Sequence, residues 1–351
     1  MTSLELTSES LAAADPSSML ADVLDQPAQL ADALWRAESA SLPEFDAAGG
    51  LVVCGMGGSA IGGDLARACL GDRARRPIRV TREFKPDPWI GPDTLVLLAS
   101  YSGETAETLA CQEAARAAGA PRVAVTTGGP LAEGARADGD PVIGVPAGLQ
   151  PRAAVAYMTV AALECAAACG AGPRLASEVQ GASRLLEELA AEWAPDGPED
   201  SQPKALARSL LGRVATLYGG GPTAAVARRW KTQLNENAKV PAFFSELPEA
   251  DHNEICGFEA AVDLAPLRAV MLLDSSQDER VSRRLALTGR AATEVGAGGE
   301  QVHARGATPV ERMASLVLLG DLVSVYLAAL RGVDPTPVAA IVDFKRSLNG
   351  S

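Results

Sequence analysis

The chain has 351 residues, 47% of them hydrophobic and 21% charged, a composition typical of a folded globular protein with a sizeable core. At roughly 100–200 residues per domain, this length predicts two domains or one large one. The formal net charge of −13 argues against nucleic acid as the main partner, because a phosphate backbone needs a basic face, but it allows a small anionic ligand.

The first part of the chain predicts alternating helices and strands. Leucines and valines at helical spacing predict a helix over 17–40. Short apolar runs predict strands at 51–54, 77–80, 94–99, 122–126 and 141–145, with helices over 59–70 and 104–118 and a long one after Arg152. Strands that alternate with helices favour the α/β class, with a parallel sheet covered by helices on both faces.

The second part of the chain repeats this pattern after a proline- and acid-rich stretch at 194–203, which predicts a linker. Strands are predicted at 214–218 and 269–273, with a weaker one at 292–295, and a glycine loop at 219–221 precedes a helix that contains Trp230. We therefore expect an N-terminal helical segment (1–48), a first α/β domain (49–193), a linker (194–204), and a second domain with C-terminal helices (205–351).

Histidine and cysteine usage narrows the chemistry. With only His252 and His303, a site built on three histidines is disfavoured, so we expect no metal. The six cysteines show no CxxC spacing, and we expect Cys165 and Cys169 to be buried apolar residues in a reducing cytoplasm. The acidic N-terminus lacks a signal-peptide pattern, and we expect no apolar stretch of the roughly 20 residues that a membrane helix needs, hence a soluble protein without membrane contact.

Two polar loops follow predicted strands. The first, GMGGSAIGG at 55–63, lets the backbone approach an anion closely and also satisfies a relaxed dinucleotide-binding fingerprint, a weak match by itself. The second, SYSGET at 100–105, places three hydroxyls at the carboxyl end of a strand, where open α/β sheets bind ligands. Hydroxyls and helix amides suit a phosphate monoester; the simpler alternative is that Ser102 only caps the next helix.

These loops, GMGGSAIGGD and SYSGET, resemble the two signature loops of the sugar isomerase (SIS) domain, which binds phosphosugars. The resemblance implies two SIS domains, each a flavodoxin-like αβα sandwich around a parallel sheet. It also implies a set of phosphate-binding residues: Gly57 and Gly58 through their backbone, and Ser59, Ser100, Ser102 and Thr105 through their hydroxyls.

A second pattern surrounds Glu236, which lies between two asparagines near the end of a predicted helix. The asparagines could orient its carboxylate. Sixteen residues later His252 stands among acids and an asparagine, which would fix the tautomer of its imidazole. Taken singly, Glu236 could be a solvated helix carboxylate and His252 a loop or capping residue; beside the phosphate loops, a catalytic pair is favoured.

The string NENAKVPAFFSELPEADHNEICGF closely resembles the signature of bifunctional phosphoglucose/phosphomannose isomerases, a branch of the phosphoglucose isomerase superfamily. The resemblance extends from residue 49 to residue 348 and includes LQPR at 149–152, DPTP at 334–337 and Lys345. Ala147 departs from it, because the family pattern has glycine there.

The resemblance implies a reversible, metal-independent aldose–ketose isomerisation of glucose 6-phosphate and mannose 6-phosphate with fructose 6-phosphate through a cis-enediol. In it Glu236 moves the proton between C1 and C2, and Arg152 stabilises the enediolate. His252 opens the sugar ring from the neighbouring subunit of a homodimer. Lys345 closes the site near the ring oxygen, although on its own it would be interpreted as a solvated helix-end cation. Thr336, close to the expected site in the DPTP segment, is expected to help set the tolerance of both C2 configurations.

Three other functions compete with this prediction. A non-catalytic SIS-domain regulator that binds a phosphosugar usually carries a DNA-binding segment, but the first 48 residues have little Lys or Arg. The isomerase half of a glucosamine-6-phosphate synthase would need an ammonia-supplying domain. A nicotinamide-dependent enzyme is least favoured, because nothing in the second half resembles a hydride-transfer site. The ratio of glucose to mannose activity, and so a role in glycolysis and gluconeogenesis or in mannose metabolism, stays open.

Overall fold

A computed structural model, which describes residues 6–348, contains two parallel β-sheets flanked by helices. The first sheet has the strand order β2-β1-β3-β4-β5, with β1 Gly50–Gly55, β2 Ile78–Thr81, β3 Thr94–Ala99, β4 Arg122–Thr126 and β5 Val142–Gly144. The second has the order β7-β6-β8-β9, with β6 Val214–Gly220, β7 Ala242–Leu247, β8 Leu267–Leu273 and β9 Gly299–His303. The α/β class predicted from the sequence, with parallel sheets flanked by helices, is confirmed.

Helices cover the sheets and precede the first of them. They are α1 Ser8–Ala14, α2 Met19–Leu24, α3 Gln26–Ser39, α4 Gly57–Leu70, α5 Ala106–Ala117, α6 Gly129–Asp138, α7 Val155–Ala168, α8 Ala176–Trp193, α9 Gln202–Leu210, α10 Ala224–Glu236, α11 Ala261–Leu264, α12 Glu279–Glu294, α13 Pro309–Leu330 and α14 Ala339–Leu348. Short 3₁₀ turns lie at Gly71–Arg73, Gly221–Thr223, Glu249–His252 and Glu254–Ala260.

Three local predictions are corrected by the structure. The predicted helix over 17–40 is two helices that meet at Asp25, and α9 begins inside the predicted linker because Pro203 occupies its first turn, where proline is tolerated. The strand predicted at 292–295 is wrong: those residues are the end of α12, whose apolar positions face the core, and Gly296 and Gly298 end the helix with positive φ before β9.

α13 is a 22-residue helix that runs through the centre of the protein. A capping box between Thr308 and Glu311 starts it, and it packs against α8 and α9 as well as α10. The expectation that no apolar stretch reaches membrane-spanning length is wrong, because this helix has that length and a mean hydropathy of 2.0. However, 94% of its apolar window is buried inside the protein, as in the core helix of a globular fold.

The two sheets share the arrangement that positions a site. In each, the first strand in sequence lies between the next two, as β2-β1-β3 and as β7-β6-β8. The loops that leave the carboxyl ends of such neighbouring strands diverge and open a crevice. In the first sheet Gly55 pairs with Ala99, so the glycine loop and the SYSGET loop leave the sheet side by side.

Candidate active site

The glycine loop after β1 turns directly into α4. Gly57 has φ of +50°, in the left-handed region that favours glycine, and starts the helix with no side-chain cap. The amides of Ser59 and Ala60 donate to the carbonyl of Met56, so among the first amides of α4 those of Gly57 and Gly58 are the ones available to a ligand. The buried Ser59 accepts a hydrogen bond from the backbone N–H of Tyr101 at 3.3 Å, which ties this loop to the second one.

The hydroxyls of the SYSGET loop surround a tight turn. Ser100 and Thr105 share a hydrogen bond of 2.8 Å, and Ser100 also accepts from the N–H of Gly103 at 3.1 Å. Ser102 accepts from the N–H of Glu104 at 3.2 Å, before α5 begins at Ala106. The hydroxyl of Ser102 therefore does not cap the first helical amides, and the simple capping alternative is wrong.

The segment that carries Arg152 packs against both loops. A Cβ atom at Gly58 would lie 2.8 Å from the carbonyl oxygen of Pro151 and 3.2 Å from Cα of Arg152, so only glycine allows this approach. The hydroxyl of Tyr101 accepts from the N–H of Leu149 at 2.8 Å. The structure thus brings Arg152 to the predicted phosphate loops.

Arg152 is held between the two halves of the protein. Its Nε donates to Asn237 Oδ1 at 2.6 Å, and its Nη2 donates to the carbonyls of Pro335 at 2.9 Å and Thr336 at 2.8 Å. The residue is 4% exposed. Burial lowers the pKa of the Arg152 guanidinium, and the nearby carboxylate of Glu236 opposes that change. The guanidinium therefore stays protonated and can interact with a negative charge beside it.

Glu236 is the last residue of α10, and its Oε2 lies 3.6 Å from Nη1 of Arg152. Its side chain keeps 29% of its surface exposed, so the carboxylate can meet a ligand. The expectation that the flanking asparagines orient this carboxylate is wrong. Asn235 donates to the carbonyl of Val240 at 2.8 Å, and Asn237 contacts Arg152 and Ser324 instead.

The structure does not bring His252 to Glu236. α10 starts at the carboxyl edge of the second sheet and ends at Glu236, about 20 Å away for 13 residues. β7 then returns over six residues, again roughly 20 Å, and the exposed His252 follows at the carboxyl edge. The two side chains therefore lie at opposite edges of the same sheet.

The remaining residues singled out from the sequence lie in several other parts of the chain. Lys345 is exposed on α14 and forms no ion pair with any residue from 6 to 348. Thr336 contacts Arg152 through its carbonyl, while its buried Oγ1 lacks a hydrogen-bond partner in the described part of the chain. His303 is exposed at the end of β9, opposite Leu273, away from these groups. The cysteines Cys165 and Cys169 are free and buried, as expected.

The second sheet has an equivalent crevice that differs chemically. Asp274 follows β8 where Ser100 follows β3, and it pairs with Arg312 at 2.9 Å. Gln277 donates to the carbonyl of Gly220 at 2.6 Å and to the hydroxyl of Thr223 at 2.9 Å, so the loop is closed on itself. A cavity of about 690 Å³ opens beside this loop, but none of the predicted site residues lines it.

Comparison with known proteins adds a family assignment to this geometry. Residues 199–348 match the model of the bacterial phospho-glucose isomerase C-terminal SIS domain. A bifunctional phosphoglucose/phosphomannose isomerase from Caldicellulosiruptor bescii is 38% identical over 85% of this chain and 89% of its own length, and one from Aquifex aeolicus is 34% identical over 85% and 90%. The structure of tagatose-6-phosphate ketose/aldose isomerase from Escherichia coli superposes with a TM-score of 0.68 at 14% identity, over 90% of this chain and 94% of that one, which shows the shared fold.

Proposed function

The chain belongs to the family of bifunctional phosphoglucose/phosphomannose isomerases, and from this premise we propose that it interconverts glucose 6-phosphate and mannose 6-phosphate with fructose 6-phosphate. The observation that carries the proposal is the pairing of Glu236 with Arg152 beside two phosphate-type loops. The reaction as proposed uses the side chains of the protein alone, without a metal or other cofactor.

Glu236 is the base in this scheme. It takes the proton from C2 of the open-chain aldose and returns it to C1, while the hydroxyl proton passes from O2 to O1, so the cis-enediol becomes the ketose. One carboxylate can serve both carbons if the phosphate end is anchored within reach. Arg152 lies 3.6 Å from Glu236 and keeps a protonated group where the enediolate charge develops.

The phosphate is anchored by the two loops of the first sheet. The backbone amides of Gly57 and Gly58, at a helix start without a side-chain cap, and the hydroxyls of Ser59, Ser100, Ser102 and Thr105 are proposed to bind it, and hydrogen bonds hold these loops in place. Backbone amides at a helix start favour a dianion without requiring a basic surface. This arrangement reconciles an anionic substrate with a net charge of −13.

Ring opening is assigned to His252 of a second subunit. Glu236 and His252 lie at opposite edges of one sheet, and the exposed His252 is free to enter the site of a neighbouring copy. A homodimer with two such exchanged histidines follows from this assignment. Lys345, on the exposed α14, is proposed to close the site near the ring oxygen.

Together with the reaction we propose a role for each half of the chain and a cellular compartment. The halves 49–193 and 205–351 act as two SIS domains, of which the first binds the phosphate and the second supplies Glu236. The protein works in the cytoplasm, because a free exposed thiol at Cys256 and free buried thiols elsewhere suit a reducing compartment.

The test is turnover by Glu236→Gln, with the exposed Glu188→Gln as the matched control. Both removal of fructose 6-phosphate and formation of each aldose 6-phosphate are followed in one preparation. Loss of a general base is expected to lower kcat by about 10²–10⁴-fold for both products, while fructose 6-phosphate still shifts the melting temperature. Near-wild-type turnover would reject Glu236 as the base. Binding without any turnover by the unmodified protein would favour the regulatory alternative.

A further inference from the structure

The hydrogen bonds of Arg152 leave one nitrogen of the guanidinium unused. A guanidinium has five N–H donors. One of them, on Nε, goes to Asn237, and the two on Nη2 go to the carbonyls of Pro335 and Thr336. Nη1, with its two donors, is the nitrogen that lies 3.6 Å from Glu236. The acceptors therefore determine which edge of the cation faces the carboxylate.

Asn237 is the one side chain among these acceptors, and its amide has a fixed orientation. It is completely buried, and its Nδ2 donates to Ser324 Oγ at 2.9 Å. Ser324 has a single hydroxyl proton, which it donates to the carbonyl of Asp321 at 2.7 Å. Its oxygen must therefore accept from Asn237, which leaves Oδ1 of the amide for Arg152.

We propose that Asn237 is a positioning residue that aims Nη1 of Arg152 at the reacting atoms, an inference that rests on the proposed isomerase function. Asn237 lies on the second half of the chain and Arg152 on the first, so the same bond also sets the cation relative to Glu236. Without Oδ1, Nε loses its acceptor, and the guanidinium can turn about its side-chain bonds. Stabilisation of the enediolate falls, whereas phosphate anchoring by the loops is unchanged.

The first experiment compares Asn237→Ala with Asn235→Ala. The control removes an amide of the same type two positions away, whose partner is the carbonyl of Val240 rather than Arg152. Misplacement of a catalytic group by about 1 Å can cost roughly 10²-fold, so we expect a kcat loss of that order for Asn237→Ala with KM within a few-fold. Asn237→Asp keeps an acceptor for Nε and should recover most of the loss. A raised KM with unchanged kcat would contradict the proposal.

The second experiment separates positioning from a general effect on folding. In the Arg152→Ala background, Asn237→Ala should cause little further loss, because the group it positions is already gone. Free guanidinium at non-denaturing concentration should restore part of the activity of Arg152→Ala, and less in the double variant. Additive losses, or equal rescue in both backgrounds, would overturn the proposal. If Asn237→Ala does not fold, rescue by free guanidinium is compared between Arg152→Ala and Arg152→Ala/Asn237→Asp. Equal rescue is expected, because Asp keeps an acceptor for the guanidinium. Abolished rescue in the double variant would contradict the proposal.

These outcomes are distinct from failure of the proposed function. If the unmodified protein turns over neither aldose 6-phosphate, the isomerase assignment fails before any variant is made. If it turns over both and Glu236→Gln abolishes them, the assignment stands and only the role of Asn237 is decided by the cycle.

Discussion

Removal of the Asp321 carboxylate should destabilise the protein more than most single substitutions. Asp321 on α13 accepts from Nε of Arg229 at 3.0 Å and from its Nη2 at 2.6 Å, and Gln26 donates to it at 2.7 Å. Both members of the ion pair are 1% exposed. Burial raises the pKa of Asp321, and Arg229 and then Gln26 oppose the change, so this carboxylate depends on its partners.

The expected cost follows from the charge left behind. Asp321→Ala leaves the Arg229 guanidinium buried without a counterion, which typically costs about 3–5 kcal/mol against a total stability of about 5–15 kcal/mol. Arg229→Met leaves the opposite charge and should cost a similar amount. Arg229→Met/Asp321→Leu should recover most of the loss, because well-packed apolar residues often replace a buried pair without cost.

Urea unfolding at neutral pH of the unmodified protein, Asp321→Leu, Arg229→Met and Arg229→Met/Asp321→Leu completes a double-mutant cycle, and Asp321→Ala is measured beside these four proteins. A destabilisation below about 1 kcal/mol for Asp321→Ala, the size of an exposed pair, would refute the reasoning. A double variant whose loss equals the sum of the two single losses would refute it equally, because the two charges would then act independently. Turnover is measured in parallel, since Arg229 Nη2 also donates to the carbonyl of Arg152 at 2.9 Å.

Three further predictions concern thiols, tyrosines and one glycine. A thiol reagent should modify one cysteine rapidly in the native protein, the exposed Cys256, and all six after denaturation; rapid modification of a buried thiol would contradict this burial. Burial raises the pKa of all four tyrosines, Tyr101, Tyr157, Tyr218 and Tyr326, so tyrosinate absorbance at pH 10 should increase on unfolding. Because the unfolded chain loses these protons first, stability should fall as pH rises above about 10, and urea midpoints that stay constant there would contradict it. Gly103→Ala should cost about 1–3 kcal/mol by urea unfolding and weaken fructose 6-phosphate binding, because φ is +71° and a Cβ would clash with the carbonyl of Gly128; unchanged binding would separate this turn from the site.

The crevice proposed to bind phosphate is the part of the site whose position the sequence could predict. A short apolar strand followed by glycines or hydroxyls is a local pattern, and parallel strands bring such loops to the same edge of a sheet. The strand at 94–99 was predicted with the bounds of β3, so the SYSGET loop was placed correctly relative to it. The prediction of a strand at 292–295 is wrong because a short apolar run at the end of a helix has no periodicity of its own.

The orientation of Glu236 and Arg152 could not be predicted from neighbouring letters. Consecutive residues on a helix point about 100° apart, so Asn235 donates to the carbonyl of Val240 and Asn237 contacts Arg152, and neither amide contacts the carboxylate between them. The partner of Asn237 is 85 residues away in sequence, and its support comes from the middle of α13. The sequence did contain one signal for this buried polar network. Asp321 and Ser324 interrupt an otherwise apolar stretch that forms a helix with no polar face.

The two halves share an architecture but divide the chemistry, and one position accounts for much of the division. After β3 stands Ser100, a neutral hydroxyl that leaves the helix amides available to a dianion. After β8 stands Asp274, a carboxylate that already uses Arg312 as its cation and would repel phosphate. The helix α10, which follows the glycine loop of the second half, therefore contributes its C-terminus to the site and not its N-terminus. Gln277 bonds to the loop before its N-terminus, and Glu236 and Asn237 lie at its C-terminus. The carboxyl edge of the first sheet thus meets the amino edge of the second at Arg152 and Glu236.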